Sequence, residues 1–137
     1  MTTLSGQKLA KRYGSRDVVR DIDIDVRQGE VVGVLGPNGA GKTTTFYMLA
    51  GIVTPTRGQV VLDGVDITRW PLHKRARMGM SYLPQESSIF RKLTVRQNLQ
   101  IMLEYSGFSR EEQKRTADRL LEELGISRLE GQLAAHL

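Results

Sequence analysis

The segment Gly36-Pro37-Asn38-Gly39-Ala40-Gly41-Lys42-Thr43 limits what this chain can fold into more than any other. It fits the pattern G-x-x-x-x-G-K-[ST] in full, a loop built to cradle phosphate. Glycines let consecutive backbone N–H groups turn inward around an anion. The helix expected to follow adds about half a positive charge at its first turn. In this pattern Lys42 is expected to reach the terminal phosphates of a nucleotide, and the Thr43 hydroxyl to ligate Mg2+. At ordinary residue frequencies, a chance match in a chain of 137 residues is rarer than about one in a hundred. The loop also demands a setting: a buried strand before it and a helix after it.

The flanking sequence is expected to supply both. In residues 30–35, Val31, Val32, Val34 and Leu35 are nearly continuous, as in a parallel strand buried on both faces. Residues 42–50 read as a helix with Phe46, Leu49 and Ala50 on one side, stopped by Gly51 and with Pro55 beyond. Upstream, residues 4–9 alternate loosely. Residues 21–26 alternate strictly, with Ile22, Ile24 and Val26 on one face and three aspartates on the other, which predicts a half-buried antiparallel strand. Residues 59–62 and 65–67, joined by Asp63-Gly64, predict a hairpin with a type I′ turn. A short helix over 71–77 and an apolar strand over 79–83 should follow. Thr94 with Gln97, and Ser109 with Glu112, have capping-box spacing. Ala117, Leu120, Leu121 and Leu124 then recur at helical spacing, and Gly125 closes that helix. The fold class is α/β.

Composition excludes more than it selects. Hydrophobic residues at 39% and charged residues at 26% are those of a globular chain. The absence of cysteine excludes disulfides, thiolate metal sites and a cysteine nucleophile. A net charge of +5 permits nucleic acid, anionic lipid or phosphate ligands without choosing among them. Tyr13, Phe46, Tyr47 and Trp70 do not alternate with basic residues as a base-stacking platform would, so no nucleic-acid partner is expected. No apolar run approaches the roughly 18–20 residues of a membrane span. The first residues lack the basic-then-apolar layout of a signal peptide. A cytoplasmic location is expected, with the membrane touched only through partners.

Two further residues narrow the reading. Tyr13, just after an expected strand, suits either a stack on adenine or an ordinary strand end. Gln85, after the expected strand 79–83, suits either a Mg2+ ligand and water-positioning group or a solvated loop residue. Taken with residues 36–45, they resemble the nucleotide-binding domains of ABC transporters. Leu83-Pro84-Gln85-Glu86 is similar to that family's Q-loop, and Tyr13 to its A-loop aromatic. Residues 21–26, Gly29-Glu30, residues 55–58 and Asp63-Gly64 lie where the family has matching features, so the resemblance covers essentially the whole chain.

The resemblance implies a P-loop ATPase core with an antiparallel β-subdomain over about residues 1–92. It implies the start of a helical subdomain over about 93–137, truncated at the C-terminus. It implies ATP and Mg2+ as cofactors, with nucleotide contacts from Tyr13, Gly36, Pro37, Asn38, Gly39, Ala40, Gly41, Lys42, Thr43 and Thr44. Mg2+ would be ligated by Thr43 and Gln85, and Gln85 would also act in catalysis. The implied partners are a second ATPase subunit, forming a homodimer, and transmembrane permease subunits. An exposed aromatic beside an arginine is a good anchor for a partner helix; Phe90 and Arg91 are such a pair unless Phe90 is core, and the resemblance assigns them to the permease contact. Residues 43–48, 71–77 and 82–93 further resemble the branch of the family that powers lipopolysaccharide export from the inner membrane. Two alternatives stay open: a transport ATPase for another substrate, such as a branched-chain amino acid, and a soluble nucleotide-dependent module acting on ribosomes or DNA.

Family members also carry a Leu-Ser-Gly-Gly-x signature loop, a Walker B strand ending Asp-Glu and a switch histidine, and residues 1–137 contain none of these. Asp63 follows apolar residues but precedes Gly64, and the hairpin explains it. His73 and His136 are expected to be solvated, as are Lys74, Arg75 and Arg77 on one helix face. The chain is therefore expected to be the N-terminal part of such a subunit, binding MgATP weakly without turning it over.

Overall fold

The computed structural model describes residues 2–85 and 88–136, in two compact units, Met1–Leu83 and Pro84–Leu137. The first unit is built on a four-stranded antiparallel sheet of order β2-β1-β3-β4. Its strands are β1 (Thr3–Tyr13), β2 (Arg16–Arg27), β3 (Arg57–Leu62) and β4 (Val65–Asp66). β1 and β2 turn through Gly14-Ser15, where Tyr13 pairs with Arg16. β3 and β4 turn through Asp63-Gly64, whose φ values of 49° and 79° are both positive, as a type I′ turn requires. Asp63 accepts the Thr3 N–H at 2.7 Å, so this carboxylate stitches the hairpin to β1.

β1 is bulged between Gly6 and Leu9 against β2, and between Gln7 and Ala10 against β3. Lys8 sits in the bulge at φ 50°. Asp23 accepts both its N–H, at 2.8 Å, and its ammonium, at 2.6 Å. That hydrogen-bonded ammonium holds the Asp23 carboxyl below the usual carboxylate range.

Helix α1 (Lys42–Ala50) packs on the sheet. The core gathers Leu9, Val19, Met48, Leu49, Val60, Leu62 and Ile67, with Ile24, Trp70 and Met80 among those packed around it. The alternation in β2 holds in part: Ile24 and Val26 are half-buried and the aspartates at 21, 23 and 25 are exposed, but Ile22, expected on the same face as Ile24, is 38% exposed. Helix α2 (Leu72–Ala76) begins after Pro71.

Three local expectations fail in this unit. Residues 30–35 form no strand; Val31 is 97% and Leu35 95% exposed. A parallel strand must pair its backbone with neighbours, and no described strand lies beside this one. Residues 79–83 are irregular for the same reason. The inward face of α1 is Thr45, Met48, Leu49 and Ala50, while Phe46 is exposed and meets Tyr82 with ring centroids 6.1 Å apart.

The second unit holds α3 (Val95–Glu104) and α4 (Arg110–Glu123), followed by two short 3-10 turns. Both expected capping boxes are present, at Thr94 with Gln97 and at Ser109 with Glu112. Arg96 ties this unit together, donating to Asp118 at 2.6 Å and through Nε to Glu130 at 2.7 Å. Thr94 bridges to Leu133. Val95, Leu103, Ala117, Leu121 and Ala134 are buried.

Candidate nucleotide site

The site starts where β2 meets the first residue before α1. Gly41 has φ 83° and caps α1. A Cβ there would stand 2.6 Å from the Val18 carbonyl oxygen and 2.9 Å from Val19 Cγ2. The glycine is thus fixed twice, by its left-handed backbone and by its approach to β2. Before it the chain turns over Asn38-Gly39, with the Ala40 N–H donated to Pro37 O at 3.2 Å and Gly39 at φ 81°. Residues 36–40 are exposed. Below them Thr45 is buried and donates its hydroxyl to Gly41 O at 3.0 Å.

Lys42 arches back over this loop. Its Nζ donates to Gly36 O at 2.5 Å and Pro37 O at 2.7 Å. The ammonium therefore stands among the loop's own backbone groups, at the positive end of α1. Thr43 is exposed and Thr44 half-buried in the first turn. Cation, free amides at a helix start and a hydroxyl form a donor set suited to a polyphosphate with a hard metal ion. Among the described residues no cluster of three or more His, Asp or Glu side chains could hold a metal by itself.

Tyr13 ends β1, half exposed, with the Lys11 ammonium 5.1 Å from its ring centroid. Its partner Arg16 lies just ahead of Val18 and Val19, the residues against Gly41. One hairpin end therefore carries both Tyr13 and the strand that touches the loop. Gln85 is exposed and belongs to the second unit; Glu86 lies outside the described residues. Phe90 is 54% exposed, and Arg91 is exposed beside it. Asn98 grips that segment, accepting the Phe90 N–H at 2.8 Å and donating to Phe90 O at 3.1 Å and Thr94 O at 2.9 Å.

His73, His136, Lys74 and Arg77 are solvated as expected, but Arg75 is not. It is 0% exposed, and its guanidinium donates to four backbone carbonyls: Met48 at 3.0 Å, Leu49 at 2.6 Å, Thr68 at 3.0 Å and Trp70 at 2.8 Å. Burial pushes its pKa down, with Asp66 opposing. A charge run at helical spacing hid this residue. The available signal was that Arg75 follows Leu72 by three positions and so shares its inward face.

A loop of pattern G-x-x-x-x-G-K-[ST] opening a helix is the mark of the P-loop class of nucleotide-binding domains, and residues 36–43 open α1 in that way. The model of the ABC transporter family matches residues 19–137. The chain belongs to the ABC transporter family. It is 49% identical, over all of its own length and 57% of the relative's, to the lipopolysaccharide export system ATP-binding protein LptB of Haemophilus influenzae. The same identity and coverage relate it to the protein of that name in Escherichia coli K12. A probable ABC transporter ATP-binding protein of Azorhizobium caulinodans is 52% identical over 91% of this chain and 44% of its own length. Among solved structures, an ATP-binding cassette of an ABC transporter superposes with a TM-score of 0.84 at 25% identity, over all of this chain and 59% of the other. The chain thus spans about half the length of the curated relatives it matches. Among the described residues no helix is long and apolar enough to cross a membrane.

Proposed function

We propose that this chain supplies the MgATP-binding part of an ABC transporter ATPase that drives lipopolysaccharide export from the inner membrane. The observation that carries the reading is the loop of residues 36–43 on the first turn of α1, in a chain 49% identical along its length to lipopolysaccharide export ATP-binding proteins. In this reading loop amides and Lys42 hold the phosphates, and Thr43 and Gln85 ligate Mg2+. Tyr13 stacks on adenine, and Gln85 positions water. Residues 1–92 then carry the core and β-subdomain, and 93–137 the start of the helical subdomain. Two such subunits work as a homodimer on the cytoplasmic face of the membrane, reaching permease subunits through Phe90 and Arg91.

Turnover needs more than residues 1–137 hold. Phosphoryl transfer depends almost wholly on positioning and charge stabilisation. The resemblance places the water-activating glutamate and the signature loop in segments absent from this sequence. The chain alone should therefore bind MgATP and release phosphate at a background rate. The substrate is tested by expressing the full reading frame in Escherichia coli depleted of its own LptB and measuring lipopolysaccharide at the cell surface. Restoration that Lys42→Ala abolishes is the expected result. Hydrolysis without restoration would move the reading to a transporter of another substrate.

A further inference from the structure

Helix α1 is held at both ends by groups that differ in kind. Its first turn carries Lys42 and the loop. Its last turn is closed by Arg75, which reaches from α2 to take the Met48 and Leu49 carbonyls. Both lie among the last carbonyls of α1, at the negative end of the helix, and Met48 O takes the Gly51 N–H as well. The same guanidinium donates to Thr68 and Trp70, fixing the segment between β4 and α2. The backbone of Arg75 faces the other way. Its carbonyl accepts from Met78 at 2.9 Å and Met80 at 3.3 Å, on the stretch of chain that runs on to Gln85.

The guanidinium packs directly against Gly51. A Cβ at Gly51 would lie 2.5 Å from Arg75 Nε. Gly51 is left-handed at φ 83° and also closes α1 through its N–H to Tyr47 and Met48. Lysine cannot replace the planar fork, because an ammonium is a point donor and cannot serve carbonyls on both sides. Among the described residues Arg75 is the one fully buried charge. A buried cation is costly unless every donor is used. An apolar side chain of similar volume would leave the four carbonyls without this donor, so Arg75 holds the helix end and the 68–70 segment together.

We propose that Arg75 is a positioning residue for the nucleotide: it clamps the far end of α1 so that the Lys42 end is held in its phosphate-binding orientation. Helix α1 has nine residues. It is a stiff rod of about 13 Å, so releasing one end changes the aim of the other. This inference rests on the MgATP reading.

The test is isothermal calorimetry of the 137-residue chain with MgATP, on the parent, Arg75→Lys and Ile67→Val, each with its melting temperature. Ile67 is in the same core, and Ile67→Val trims one methyl group while leaving every Arg75 hydrogen bond in place, so this variant should melt lower with unchanged Kd. Arg75→Lys should bind about tenfold more weakly, the share of one charge-assisted hydrogen bond. A folded Arg75→Lys chain that binds as tightly as the parent would overturn the proposal. Should that variant fail to fold, amide hydrogen exchange of the parent decides. Coupling is reciprocal, so MgATP should slow exchange at Gly51, Met78 and Met80 as well as in the loop. Slowing confined to residues 36–45 would overturn the clamp. A parent that takes up no MgATP would overturn the nucleotide reading itself and this inference with it.

Discussion

Gly41→Ala and Gly39→Ala make a matched pair, because both glycines have nearly the same backbone, φ 83° and 81°. A non-glycine residue in this left-handed region costs about 1–2 kcal/mol. Any gain from restricting the unfolded chain is the same for both substitutions. They differ in what the new methyl meets. At Gly39 nothing lies within 4 Å. At Gly41 the Cβ stands 2.6 Å from Val18 O and 2.9 Å from Val19 Cγ2. The first of these is backbone in a paired strand and cannot rotate away. Overpacking of that kind adds about 1–3 kcal/mol. Gly41→Ala should thus lose about 2 kcal/mol more stability than Gly39→Ala. Urea titration followed by the fluorescence of Trp70, the one tryptophan and a residue packed against the core of this unit, measures the difference. Equal midpoints for the two variants would show that α1 does not seat against β2 as described.

Tyr13→Ala should weaken ATP by about 1–3 kcal/mol if the ring stacks on the base, and Tyr13→Trp should be tolerated; parent-like calorimetry for both would leave Tyr13 a strand end. Asp17, Asp23, Asp66 and Glu112 are all held below their ordinary carboxylate values, chiefly by hydrogen bonds from Arg12, Lys8, Thr68 and Ser109 in turn. A depressed folded pKa gives stability that is present above the unfolded value, about 4, and lost as pH falls through the folded one. Urea midpoints should therefore drop below about pH 4, and Asp23→Asn should flatten the drop in the Trp70 signal. Ser109→Ala removes the hydroxyl that accepts the Glu112 N–H and should cost the second unit about 1 kcal/mol, read by helical circular dichroism.

The elements legible in the sequence were those whose cause is local. The Asp63-Gly64 turn, both capping boxes and the alternation of residues 23–26 each depend on a few neighbours. So did the loop, where glycines at 39 and 41 have the positive φ that the pattern needs. What failed depended on distant partners. The apolar run 30–35 reads as a buried strand only if other strands flank it, and none does among the described residues. Helical spacing points Phe46 inward, yet the buried face of α1 is Thr45, Met48, Leu49 and Ala50. Arg75 looked like one of three surface cations; four carbonyls from distant turns make it core, and no single-sequence pattern encodes those. The ends of β1 and β2 around Gly14 ran past the visible alternation, because bulges at Lys8 and near Asp21 break its phase.

The central claim is that residues 36–43 on α1 form a working nucleotide site, with Lys42 as its cation. Calorimetric titration of the 137-residue chain with MgATP, beside Lys42→Ala, tests it most directly. Lys42 Nζ donates to loop carbonyls, and Lys42 is not among the residues of the core, so the variant should keep the parent's circular dichroism and melting temperature. The parent should bind MgATP saturably and Lys42→Ala should not bind it at all. Equal binding by both folded chains would contradict the claim.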